Sequence, residues 1–220
     1  MSFFLPPVKA KVREIPSAGS HLATLYQLID LGTQTSPFDN KLRQKIRLGF
    51  ELLDQYVRDG RPMVIGQEFT MSGDERSNLR KTLESWLGRK LADVEVDKFD
   101  LERLLGTVAV LNIVHDVGRS GSTYAKITTI AKPPVGTEPR HYSINPTTIL
   151  TFANFDHEAY DRLPGFIKTQ ISNAPEFRRN QRGDLSLTEP TPKPVLPLSG
   201  TQGLLSGHMK RREKHRPRNL

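Results

Sequence analysis

The 220 residues are 36% hydrophobic and 25% charged, contain no cysteine, and carry a formal net charge of +8. The length suits one domain with a real core, and the absence of cysteine excludes disulfides, thiolate zinc sites and cysteine nucleophiles. No apolar run reaches the roughly eighteen residues of a membrane span, and the start MSFFLPPVKAK lacks a secretion signal's basic-then-apolar order, so no membrane partner and a cytosolic location are expected. The charge is unevenly placed: residues 1–140 hold 20 Lys+Arg against 17 Asp+Glu, residues 141–208 hold 6 of each, and the last twelve, MKRREKHRPRNL, hold 6 against 1. Most of the excess is therefore a tail with a general attraction for polyanions.

Residues 1–19, with Pro6, Pro7 and Pro16 around Lys9, Lys11 and Arg13, read as an extended N-terminal arm. His21–Leu31 is the first strand. Its apolar residues fall on both parities, as expected if both faces are covered along part of its length, and Gly32 ends it. Thr33–Asn40 reads as a loop. Lys41–Leu53 alternates most clearly: Leu42, Gln44, Ile46, Leu48, Phe50 and Leu52 on one parity, Lys41, Arg43, Lys45, Arg47, Gly49 and Glu51 on the other. After a turn ending in Asp59-Gly60, Pro62–Met71 is a third strand, paired with the second as a hairpin.

Ser72-Gly73-Asp74-Glu75 matches a capping box, and Leu79, Leu83, Trp86 and Leu87 form one apolar stripe that Gly88 stops. A helix of about four turns is predicted. Ala92–Asp100 reads as an acidic loop and Asp100–Leu105 as a helical turn closed by Gly106. Thr107–His115 and Ser122–Ala131 then form a hairpin around Gly118 and Gly121. The order β-β-β-α-β-β is that of the five-stranded OB-fold barrel, closed by pairing the first strand with the fourth. The expected class is mainly β with α.

Beyond the breakers Lys132–Gly136 and Asn145-Pro146, Asp156–Leu163 and Pro164–Asn173 are predicted helices whose Leu163, Phe166, Ile167 and Ile171 dock on the barrel. The OB-fold domain with these appended C-terminal helices spans residues 20–177. Residues 178–220, Pro-rich and then basic, read as a disordered tail.

Four cations at Lys41, Arg43, Lys45 and Arg47, spaced by about 6.6 Å along one strand face, suit a sugar-phosphate backbone. The alternative is that they form the solvated side of a half-buried strand. Bases bound without sequence preference stack on aromatic rings, and Tyr26, Phe69 and Tyr124 lie in strands, Phe38 and Tyr56 in connections. Phe69 suits the core better. Tyr124 shares parity with Lys126, and Arg119 in the hairpin loop is placed to clamp a strand from the side. The six histidines (His21, His115, His141, His157, His208 and His215) show no metal-ligand spacing, and Val117–Ser122 lacks the Gly-Lys-Ser/Thr ending of a phosphate loop. The acidic Asp93–Asp100 run reads as a solvated loop. No catalytic residue, metal or cofactor is expected.

Several segments carry a resemblance: Ser20-His21-Leu22-Ala23 through Ile29–Gln34, Phe69-Thr70, the Leu79–Gly88 helix, Leu104-Leu105-Gly106, Tyr124-Ala125-Lys126-Ile127, and Leu163-Pro164 through Ala174-Pro175-Glu176-Phe177. Over residues 20–177 the chain resembles small bacteriophage proteins of replication and recombination gene clusters that are similar to OB-fold single-stranded DNA-binding proteins. The resemblance implies a nonenzymatic protein that coats or escorts single-stranded DNA, or RNA, during phage replication, recombination or repair. It also implies a place in the cytoplasm of the infected bacterial host, with phage or host replication and recombination proteins as partners. The basic end departs from the acidic tail common in single-strand binders, which puts recruitment by that route in doubt. The alternatives are a protein-interaction or virion-associated module without DNA affinity, and a nuclease.

Overall fold

A computed structural model describes residues 14–137 and 143–181, all within one unit, Met1–Leu185. The arm at residues 1–13 and the predicted tail from residue 182 onward lie outside the described residues. Among the described residues no helix is long and apolar enough to cross a membrane.

The organising element is β1 (Gly19–Thr35), which pairs antiparallel with β2 (Leu42–Tyr56) along one side. Its other side is shared. Residues 19–24 pair antiparallel with β4 (Val108–Val117), and residues 27–29 pair in parallel with β6 (Thr148–Leu150). β3 (Pro62–Thr70) and β5 (Thr123–Ala131) complete the order β3-β2-β1-β4-β5, with β6 off the path.

The two-sided burial expected of β1 is present, and bulges produce it. Register shifts at Leu25/Gln27 and Asp30/Gly32 put Leu25 and Leu28 on one face and Ile29 and Leu31 on the other. Gly32, at φ 68, is a bulge rather than a terminator, so the strand runs on to Thr35 where a loop was expected. The first face packs with Leu48, Phe50, Leu111 and Ile113 into the main core, where the Trp86 ring meets Phe50 at 5.6 Å and its indole N–H donates to the Val108 carbonyl at 2.9 Å. The second face packs Ile29 and Leu31 against Leu150, Leu163, Ile167, Ile171 and Phe177.

The pairing of the first strand with the fourth is found, but the sheet is not closed into a barrel. No ladder joins β3 to β5 among the described residues. Helix α1 (Asn78–Leu87) packs against both strands, so side chains cover the gap that backbone hydrogen bonds would otherwise close.

The start of α1 also differs from expectation. Ser77, not Ser72, is its N-cap, with Oγ accepting from the Arg80 amide at 3.1 Å, and the helix is ten residues, about three turns. Asp74 instead folds residues 74–77 into a turn, accepting from Arg76 N–H at 2.8 Å and, through its carbonyl, from Ser77 N–H at 2.9 Å. Arg80 fixes the register. Its buried guanidinium donates to the carbonyls of Gly73 and Leu91 and to Asp93, which would be out of reach if the helix began at Ser72. Gly88, at φ 68, stops the helix as expected.

Asp93–Val96, inside the expected loop, forms a short helix α2, and Leu101–Leu104 is a single 3-10 turn. The two predicted C-terminal helices are α3 (His157–Arg162), capped by Asp156, and α4 (Gly165–Asn173), with Pro164 at its N-cap rather than its first turn. A further helix, α5 (Pro175–Gln181), carries the fold past Phe177. Residues 14–18 are docked rather than free: Pro16 is buried, its carbonyl accepts from His115, and the Glu14 carboxylate accepts from the Arg58 amide at 3.0 Å.

Candidate nucleic-acid interface

Alternation along β2 turns Arg43, Lys45 and Arg47 away from the main core, as the sequence predicts, but the face they share changes character along its length. Leu42, expected to be buried on the opposite face, is exposed, as is Gln44 beside it; burial begins only at Ile46. Lys41 is exposed at the strand's entry. Arg43 grips Asp39 of the β1–β2 loop through two hydrogen bonds of 2.7 and 2.6 Å, which hold that carboxyl well below the usual carboxylate range. Arg43 and Lys45 line a cleft of about 560 Å³ with Thr70, Arg76 and Asn78, between the β2–β3 ladder and the start of α1. Glu68 and Asp74 are its acidic members, and Glu68 already accepts from Gln170 of α4 at 2.9 Å.

Past Lys45 the C-terminal segment covers this face. Arg47 lies across Gly66 of β3, where an added Cβ would strike its Nη2, and Phe166 of α4 lies over its guanidinium at 5.3 Å. At the far end Glu51, fully buried, holds the segment down. Its carboxylate accepts from Ser143 Oγ (2.8 Å), Ile144 N (2.7 Å), Asn145 N (2.7 Å) and Asn145 Nδ2 (2.6 Å). Glu176 fastens the other margin, accepting from Thr33 N at 3.0 Å and Thr33 Oγ1 at 2.5 Å.

The remaining predicted residues divide between two places. Tyr26, half-buried, lines a second cavity with Arg47; burial raises its hydroxyl above the ordinary tyrosine value, opposed by Arg47 and reinforced by Glu51. Tyr124 and Lys126 meet on the β4–β5 hairpin at Asp116, which accepts from the Tyr124 hydroxyl at 3.2 Å and lies 3.9 Å from Lys126 Nζ. Arg119 is exposed at the hairpin tip. The structure thus joins Arg43 with Lys45, Arg47 with Tyr26, and Tyr124 with Lys126, and lines no single cavity with all eight candidates. Of the other aromatics, Phe69 is buried in the core and Phe38 is 98% exposed in the β1–β2 loop.

Arg76 and Glu51 were not singled out from sequence. Arg76 lines the cleft from the turn that precedes α1. Glu51 continues the parity of the cations and gives no local sign of its partners 92 to 94 residues away.

One group has the order of a hydrolytic triad. His21 Nδ1 lies 2.9 Å from Asp54, and Nε2 lies 3.5 Å from Ser17 Oγ. Nε2 is nearer still, at 3.1 Å, to the Ser17 carbonyl, and Nδ1 also lies 3.4 Å from Gln55 Nε2, so the ring is held by several structural partners at once. The group ties residues 14–18 to the sheet. Among the described residues no three of His, Asp and Glu come together to hold a metal ion. No protein-family model matches the chain, and no curated protein matches it.

Proposed function

We propose that the chain is a sequence-tolerant single-stranded DNA-binding protein built on an OB-type sheet, nonenzymatic, and active in phage DNA replication, recombination or repair. The observation that carries this reading is the strand order β3-β2-β1-β4-β5 with α1 between β3 and β4, the order of the partly open OB barrel. That architecture places ligands on strands two and three and on the loops joining strands one and two and strands four and five. Here those elements carry Lys41, Arg43 and Lys45, the open cleft with Arg76, and Phe38 exposed as a stacking surface. Phosphates sit on Lys41 and Lys45, and on Arg43 once Asp39 yields it.

The test is fluorescence anisotropy of the full chain with labelled oligo-dT across a salt series. Lys41→Glu with Lys45→Glu is expected to weaken binding and to reduce the salt slope by about 1.4, at roughly 0.7 per phosphate contact. Unchanged affinity and slope in a folded double variant would sink the reading.

A protein-interaction module is the second reading, favoured by the exposed Val114, Val117 and Tyr124 on the β4–β5 hairpin. Absence of oligo-dT binding at low salt, together with a stable protein partner, would select it.

A further inference from the structure

The sheet and its C-terminal covering enclose a cavity of about 560 Å³, in the size range of small-molecule sites. Gly49, in its wall, faces Gly66 across the β2–β3 ladder. Neither contributes a side chain, and a Cβ on either would strike its neighbours, Gln27 Cβ at 2.9 Å from Gly49 and the Arg47 guanidinium from Gly66. The missing side chains give Gln27 and Arg47 the room to lie close on the sheet there.

The lining is chemically biased. It includes two arginines, Arg47 and Arg162, the rings of Tyr26 and Phe166, and the side chains of Asn145 and Thr148, and no carboxylate among the described residues. The nearby Glu51 carboxylate accepts from four donors of residues 143–145. Among the described residues Arg162 bonds the exposed Glu158, at 3.2 Å, a surface pair that an anion displaces at little cost. Cations beside half-exposed rings, with amide and hydroxyl groups at the rim, match a ligand that is anionic at one end and planar at the other.

We propose that this cavity is a nucleotide site, with the phosphate on Arg47 and Arg162 and the base against Phe166 or Tyr26, its edge met by Asn145 and Thr148. The choice of a nucleotide rests on the single-strand reading; the site itself is separate from the open cleft. The nucleotide is either the 5′-phosphorylated end of a bound strand or a free nucleoside monophosphate.

Calorimetry on the full chain separates these. At least one of the four deoxynucleoside 5′-monophosphates is expected to bind. Arg47→Met, which keeps the stem over Gly66, and Phe166→Leu, at a side chain 49% exposed, are each expected to weaken it about tenfold. Lys45→Glu, on the cleft, is expected to leave it unchanged. A preference for 5′-phosphorylated over 5′-hydroxyl oligo-dT that Arg47→Met abolishes assigns the strand end; equal binding of the two oligomers beside a bound monophosphate assigns the free nucleotide. If Arg47→Met fails to fold, Phe166→Leu decides. The proposal is overturned if no monophosphate binds, or if the folded variants bind it as the parent does. Loss of oligo-dT binding in Lys41→Glu/Lys45→Glu with monophosphate binding intact supports both sites. Monophosphate binding without any oligo-dT binding refutes the single-strand reading and leaves the pocket standing.

Discussion

Replacing Glu51 with glutamine tests what holds the C-terminal segment to the sheet. The carboxylate is fully buried and accepts four hydrogen bonds of 2.6 to 2.8 Å, one at Oε1 from Ile144 N and three at Oε2. Glutamine offers one accepting oxygen. Placed at the Oε2 position it keeps three donors, but its amide then faces the Ile144 N–H, donor against donor. One buried donor left unmet costs about 1–3 kcal/mol, and the three retained bonds lose their charge assistance. Relief of the carboxylate's desolvation offsets part of this, leaving a net loss of about 3 kcal/mol. In urea the midpoint of Glu51→Gln should fall with an unchanged slope, and the melting temperature should drop by about 6–12 °C for a domain of this size. Amide hydrogen exchange at Ile144 and Asn145 should accelerate more than in the main core. A variant within about 0.5 kcal/mol of the parent, with those amides equally protected, would refute the reasoning.

Gly32→Ala should destabilise by about 2–5 kcal/mol in urea titration, through a left-handed backbone plus a Cβ with no room, since it would lie 2.6 Å from Ala174 Cβ and 2.8 Å from Phe152. Ser77→Ala should cost about 1 kcal/mol as loss of the N-cap, while Ser72→Ala should change stability little; the reverse order would return the cap to Ser72. Glu176 is buried in part, which raises its value, but the two Thr33 donors outweigh burial and hold it below the ordinary glutamate range. Its contribution is therefore present above pH about 4.3 and lost as pH falls through the lower folded value, so parent and Glu176→Gln should differ in stability at pH 6 and converge in acid. Asp30 works in the opposite sense, because burial raises it and acid relieves its cost; the Glu176 charge adds to that rise, so the difference between the two proteins also contains the relief of Asp30.

The sequence carried the parts of the fold that alternate or punctuate. Apolar residues on both parities of β1 foretold a strand covered on both faces, and Gly88 foretold the stop of α1. What it could not carry depended on partners far along the chain. β6 is three residues long, too short to show a period, and exists because residues 27–29 of β1 have an edge that β4 leaves unpaired. The capping-box match pointed to Ser72, whereas Ser77 caps the helix and Arg80 reaches Gly73, Leu91 and Asp93, partners that no local pattern shows. For the site, alternation showed that Arg43, Lys45 and Arg47 share a face, yet a strand pattern says nothing about what packs on that face. Phe166 therefore appeared as a docking residue and Arg47 as a phosphate ligand, with no sign that one covers the other.

That covering makes the salt dependence of DNA binding a measure of how much of the face is in use. Lys41, Arg43, Lys45 and Arg47, if all four meet phosphates, give a slope of about −2.8 on a single strand. With Arg47 committed to the pocket the slope falls to about −2.1, and with Arg43 also held by Asp39 to about −1.4. Asp39→Asn separates the last two cases: it removes the carboxylate charge that Arg43 grips, so it should steepen the slope by about 0.7 if the pair persists on DNA and leave it unchanged if DNA already breaks it. A slope near −2.8 in the parent, reduced by Arg47→Met, would mean that a strand reaches Arg47 along the sheet. That path runs beneath Phe166, so Phe166 would have to move as DNA binds, and the face would be one continuous groove instead of a cleft and a pocket.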